Sequence, residues 1–205
     1  TEEIPAYGYS TYHVVRTPRF SFLPGTLAPE TNVLENEYLR VAFNSNGTLD
    51  MTHKETGHTF TGLHYLEDSG EAGHSWIHQP PERDEIITSH GSPCQIALEE
   101  SGPLFARMRV DYHMQIPVSV EDEPYVDFRE GDITNTGRTK ERREMVVTSW
   151  FTLRAGSKRL DVKTAFTNTC KHHRLRVVFP TRLDCDRTDA EIAYDVIGRD
   201  IHIKE

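Results

Sequence analysis

Cysteine is scarce in these 205 residues. It occurs only at Cys94, Cys170 and Cys185. No two of these form a CxxC pair, and three cannot all pair within one chain, so free thiols and a reducing compartment, the cytoplasm by default, are expected. Long apolar runs are missing too. Nothing approaches the ~20 residues that a spanning helix needs. The opening Thr1-Glu2-Glu3-Ile4 has no basic n-region and no apolar h-region follows, so no signal peptide is read. Excess positive charge is absent: the net charge is −9. That disfavours nucleic acid, whose affinity comes from Lys and Arg on phosphates, and it disfavours an anionic membrane surface. Helical periodicity is nearly absent, as are internal repeats and low-complexity tracts. No Gly-rich phosphate loop lies between a strand and a helix, and no Ser-His-Asp order can be defended.

What is present is period two. With 36% hydrophobic and 27% charged residues, the composition is that of a globular chain able to bury a sizeable core. Residues 1–33 read as an entry segment, broken by Pro5, Pro18, Pro24 and Pro29 and rich in aromatics such as Tyr7, Tyr9 and Tyr12 that ask for something to pack against. From residue 34 to 205 the chain reads as one β domain. Tyr38 to Phe43 alternates, Asn44-Ser45-Asn46-Gly47 turns, and Thr48 to Thr52 returns. Glu55-Thr56-Gly57 turns again. Further strands are expected at Cys94 to Glu99, Leu104 to Val120, Met145 to Leu153, Lys158 to Asn168 and Arg174 to Phe179, with one or two more between Ile192 and Ile203. Lys140 to Met145 is the single weak helical candidate. This pattern predicts an all-β sandwich. The chain stops at Glu205 in strand-like sequence, which suggests a truncated domain, because a sheet does not end on an unprotected edge.

The ordered motifs carry a resemblance. Glu35-Asn36-Glu37-Tyr38-Leu39-Arg40-Val41, then Asn46-Gly47-Thr48-Leu49, then Lys54-Glu55-Thr56-Gly57 resemble the start of the C-terminal β domain of glycoside hydrolase family 38, the α-mannosidase family. Glu67 to Trp76 resembles that family's acidic, Gly-rich segment, D-x-G-D-x-G-D-S-Y in many bacterial members. Asn168-Thr169, His173-Arg174-Leu175-Arg176-Val177 and Phe179-Pro180-Thr181 resemble a later segment, and Tyr194-Asp195-Val196 extends the match. The resemblance implies a β-supersandwich similar to galactose mutarotase-like domains. It also implies a parent enzyme that cleaves α-mannosides with retention, using an Asp nucleophile, a second carboxylate and a zinc ion. All of these lie on a catalytic barrel and the region just after it, and nothing in this chain matches them. Catalytic residues, metal ligands and cofactors are therefore expected to be absent from this chain, with the barrel as intramolecular partner and a mannose-containing carbohydrate as substrate.

Retention needs two carboxyl groups ~5–5.5 Å apart. Glu67, Asp68 and Glu71 read either as a rim near the sugar or, preferably, as a solvated loop that Gly70 and Gly73 allow to turn tightly. Glu82, Asp84 and Glu85 beside Arg83 read as surface, and the run Arg138 to Arg143 as a solvated hairpin end. Trp76 is the candidate substrate-binding residue, because an aromatic face stacks on the C–H face of a pyranose. It stands where the family pattern has Tyr and so lacks the phenolic hydroxyl, and His74 stands where the pattern has Asp. His74 and His78 have i, i+4 spacing, but Gly73 and Pro80-Pro81 argue against the helix that zinc ligation at that spacing requires. His173 reads as making a structural hydrogen bond. Trp150, Cys94 and Cys170 read as core. Two other readings remain open: a stand-alone carbohydrate-binding module built around Trp76, and a mutarotase-like enzyme, for which no His and Glu pair can be placed.

Overall fold

A computed structural model describes residues 7–13, 16, 24–73, 78–121 and 136–201. In chain order its strands are β1 (Val33–Glu35), β2 (Leu39–Phe43), β3 (Leu49–His53), β4 (His58–Leu63), β5 (Tyr65–Gly70), β6 (Ile87–Thr88), β7 (Cys94–Ser101), β8 (Phe105–Pro117), β9 (Arg142–Arg154), β10 (Leu160–Phe166), β11 (His173–Val178), β12 (Arg187–Ile192) and β13 (Asp195–Asp200). Among the described residues the only helical element is a 3-10 turn, Ser89–Gly91. The chain is all-β, as the period-two pattern predicts.

Four antiparallel sheets result, ordered β1-β2-β3-β4, β10-β9-β8-β7, β11-β5-β6 and β12-β13. Alternation sets the core. Ala106, Met108, Val110, Tyr112, Met114 and Ile116 line one face of β8 and are fully buried. Val147, Phe151 and Leu153 of β9 extend that face, and it packs on Leu39, Val41, Phe43 and Leu49 of the first sheet. Phe43 and Phe151 meet edge to face with ring centroids 5.2 Å apart. Each fully buried side chain of this size contributes roughly 1.5–3 kcal/mol. Asn36 ties the two sheets by polar contacts. Its Oδ1 accepts from Leu39 N (2.8 Å), and its Nδ2 donates to Arg154 O (2.8 Å) and Ser157 O (2.7 Å).

Three local expectations are corrected. Lys140 to Met145 is not helical: Arg142 to Met145 open β9 and pair with Pro117 to Met114 of β8. A thirteen-residue partner strand supplies the backbone hydrogen bonds that a short helix would otherwise make for itself. Trp150 alternates onto the face opposite the core, between Arg109 and Lys163 in the register, with the Lys163 ammonium 5.8 Å from its ring centroid. Glu67 to Gly70 is strand, not loop, because β5 is hydrogen-bonded on both sides, to β6 and β11. Cys170 is buried, in the connection before β11, whereas Cys94 is half-buried in β7 and Cys185 is exposed; all three are free thiols. Leu27 and Ala28 pack against the core, while Tyr7, Tyr9 and Tyr12 are exposed.

Candidate functional site

One end of the sandwich gathers most of the charged residues that the sequence singles out. β5 leads there and β6 leads back, pairing Asp68 with Ile87 and Glu67 with Thr88. The chain between them, residues 71–86, makes a long excursion. In the β5–β11 register His173 stands opposite Gly70 and Leu175 opposite Asp68. His173 leans diagonally onto Asp68, the neighbour one pair along the same face. Its Nδ1 lies 2.5 Å from Asp68 Oδ2. Its Nε2 lies 3.0 Å from Asn168 Oδ1, the same oxygen that accepts Cys170 N–H at 3.0 Å. Both ring nitrogens thus face acceptors.

Asp68 also takes a guanidinium. Arg138 Nη2 donates to Asp68 Oδ1 at 2.5 Å, and its Nη1 donates to Glu85 O at 2.9 Å. The side chains of Asp68, Arg138 and His173 are 0%, 2% and 4% exposed. The expected hydrogen bond of His173 is present. The solvated readings of Asp68 and Arg138 are overturned, because pairing removes the need for water that an isolated charge would have. Both Asp68 oxygens are thus engaged, one by Arg138 and one by His173. The cluster does not suit a zinc ion, since the arginine occupies one carboxylate oxygen and places positive charge where a dication would sit. Among the described residues no group of three His, Cys, Asp or Glu side chains is placed to hold a metal.

The other carboxylates tie down backbone. Glu71 Oε1 accepts from Gly73 N (2.8 Å) and Gln79 N (3.0 Å), and its Oε2 pairs with His78 Nδ1. Burial pushes the Glu71 carboxyl up, but the hydrogen bonds from Gln79, His78 and Gly73 outweigh that and hold it below the ordinary range. Ala72 N donates to Gln79 O (2.8 Å), so Glu71 and Ala72 tie the chain after β5 to His78 and Gln79. Asp84 Oδ1 accepts from Gly70 N and Glu85 N, each at 2.8 Å. Glu67, on the opposite face of β5, pairs with Arg176. Glu82 is exposed, as expected. Glu85 is exposed too, and both its oxygens meet Arg142 Nη2. Trp76 and His74 lie outside the described residues.

The sandwich defines a class, an all-β domain. The family follows from comparison. The model of the glycosyl hydrolases family 38 C-terminal domain matches residues 34–205. This chain belongs to that family. It is 27% identical over 175 residues to a protein named "Putative mannosylglycerate hydrolase" from Halalkalibacterium halodurans, covering 83% of this chain and 19% of that protein. It superposes on the crystal structure of an alpha-mannosidase from Enterococcus faecalis V583 with a TM-score of 0.84 at 31% identity, covering 90% of this chain and 21% of that one. A second Enterococcus faecalis structure, a protein in the glycosyl hydrolase family 38, gives a TM-score of 0.83 at 30% identity, with 91% and 23% covered. The chain thus spans about a fifth of the length of these relatives.

Proposed function

We propose that this chain is the non-catalytic β domain of an α-mannosidase-type retaining glycoside hydrolase. It supports the catalytic barrel and lends substrate contacts from the excursion between β5 and β6, with Trp76 as the stacking residue. What carries the reading is the family match over residues 34–205 together with a close superposition on an alpha-mannosidase. The geometry fits a supporting role, since the buried carboxylate, Asp68, is occupied by Arg138 and His173 and Glu71 holds backbone. The nucleophile, the acid/base carboxylate and a divalent metal, zinc in this proposal, belong to the barrel. The substrate is an α-linked mannoside, and free Cys94, Cys170 and Cys185 fit the cytoplasm. Among the described residues no helix is long and apolar enough to cross a membrane.

The test is direct. The polypeptide that carries this domain should hydrolyse p-nitrophenyl α-mannoside, and Trp76→Ala should raise its KM by about tenfold, the size of one lost stacking contact. The 205-residue chain alone should show no turnover. Metal-dependent turnover by the chain alone would overturn the proposal. Tight mannose binding by the chain alone, lost in Trp76→Ala, would favour a stand-alone carbohydrate-binding module instead.

A further inference from the structure

Arg138 touches both roots of the 71–86 excursion with one side chain. Nη2 holds Asp68, three residues before the excursion begins, and Nη1 holds the carbonyl of Glu85, next to its end. His173 holds the far oxygen of Asp68, and the carbonyl of the preceding His172 accepts Glu71 N at 2.9 Å. The chain after Gln79 is pressed onto the same place: a Cβ on Gly70 would lie 2.6 Å from Pro81 Cγ and 2.9 Å from Asp84 Oδ1. Arg83 adds a second tie, donating from its backbone to Thr136 O and from Nη2 to Glu121 Oε2 (3.0 Å). Arg138 meanwhile leaves its own Nε–H buried without an acceptor. A fold optimised only for stability would gain by replacing such a cluster with apolar side chains, because buried ion pairs are often matched or bettered by them. The cluster instead fixes geometry, since a planar fork holds two acceptors at set angles.

We infer that Asp68, Arg138 and His173 are positioning residues, an ionic clamp that fixes the two described flanks of the 71–86 excursion, residues 71–73 and 78–86, and hence how this connection meets substrate. This rests on the proposed role of that excursion in an α-mannosidase. The clamp acts through the loop roots and touches no reacting atom.

The experiment uses the polypeptide that carries this domain, with p-nitrophenyl α-mannoside as probe. Arg138→Lys keeps the charge but cannot span Asp68 and the Glu85 carbonyl together. It should raise KM by about tenfold while kcat stays within about twofold, as expected for lost ground-state positioning. The triple variant Asp68→Leu, Arg138→Met, His173→Leu removes every charge of the clamp. It should melt cooperatively and show the same KM rise, which separates positioning from folding. Unchanged KM in folded Arg138→Lys and in the folded triple variant, alongside a raised KM in Trp76→Ala, overturns the clamp alone. Unchanged KM in all of them overturns the functional reading and the clamp with it.

Discussion

The Tyr112 hydroxyl donates to the carbonyl of Gly47 across 2.7 Å, joining the centre of β8 to the turn between β2 and β3. Gly47 stands at φ +84°, and a Cβ there would lie 2.5 Å from Tyr112 Cε1. Two separate costs follow for Gly47→Ala. The left-handed backbone costs about 1–2 kcal/mol for any residue with a Cβ. Crowding a packed ring costs about 1–3 kcal/mol. Gly47→Ala should therefore lower stability by about 2–5 kcal/mol, read as a drop in urea midpoint at constant m-value. Tyr112→Phe keeps the packing and loses only the hydrogen bonds, so it should cost about 1–2 kcal/mol.

Beside that pair lies His64, fully buried between Tyr112, Phe151 and Phe179. Because the Tyr112 proton is committed to Gly47 O, His64 Nδ1 is the donor in its 3.2 Å contact with the hydroxyl, and Nε2 has no partner. Burial pushes the imidazole down from 6.5 to about 4. The unfolded chain therefore takes up this proton first as pH falls. Stability from His64 is complete above about pH 6.5 and is lost between 6.5 and about 4, to a total of about 3 kcal/mol. Denaturant titrations at stepped pH should show this slope. It should vanish in His64→Asn, a neutral side chain suited to the left-handed backbone at φ +59°. Glu71, whose carboxyl is held low, acts in a separate window, losing its contribution only as pH falls below the ordinary carboxylate range.

The contrast between β8 and β5 shows what the sequence could express. In β8 every second residue from Ala106 to Ile116 is apolar or Tyr and buried, so period two alone locates strand and core face. In β5, Tyr-Leu-Glu-Asp-Ser-Gly has no such period, and its charge and glycine read as loop. Asp68 is buried because Arg138 and His173, 70 and 105 residues away, bring compensating charge. No local pattern encodes a partner at that distance. Trp150 fails for a subtler reason. Alternation places it in a strand but does not say which set of alternate residues faces inward, and Met145, Val147, Phe151 and Leu153 take that side. The family motifs were legible because they preserve order along the chain, which is independent of burial.

Gly70 is a close-approach glycine, and its substitution tests how tightly the excursion sits on β5. It lies outside the positive-φ glycines, so Gly70→Ala carries no backbone strain and isolates contact with Pro81 and Asp84. Pro81 is buried and cannot swing away as a flexible side chain would. A cost of about 1–3 kcal/mol is expected from overpacking. Hydrogen exchange should quicken at the Gly70 amide, whose acceptor is Asp84, and at Gln79, whose acceptor is Glu71, while the amides of β8 and β9 stay protected.

Removing charge from the Asp68 cluster piece by piece should give an order of effects that contact counting would not predict. Asp68→Ala leaves the Arg138 guanidinium buried with no counter-charge, and it leaves Arg138 Nη2 and His173 Nδ1 without acceptors. Breaking a buried ion pair this way costs about 3–5 kcal/mol. His173→Leu keeps the Asp68–Arg138 pair, so it should cost less, about 1–3 kcal/mol, mostly for the acceptor it strands on Asp68. The triple apolar variant removes the charges together and should be the most stable of the three, close to the parent. Urea unfolding of all three at one pH checks the order. If the triple variant were less stable than Asp68→Ala, the cluster would be a net source of folding energy, and its reading as a device for geometry would fail.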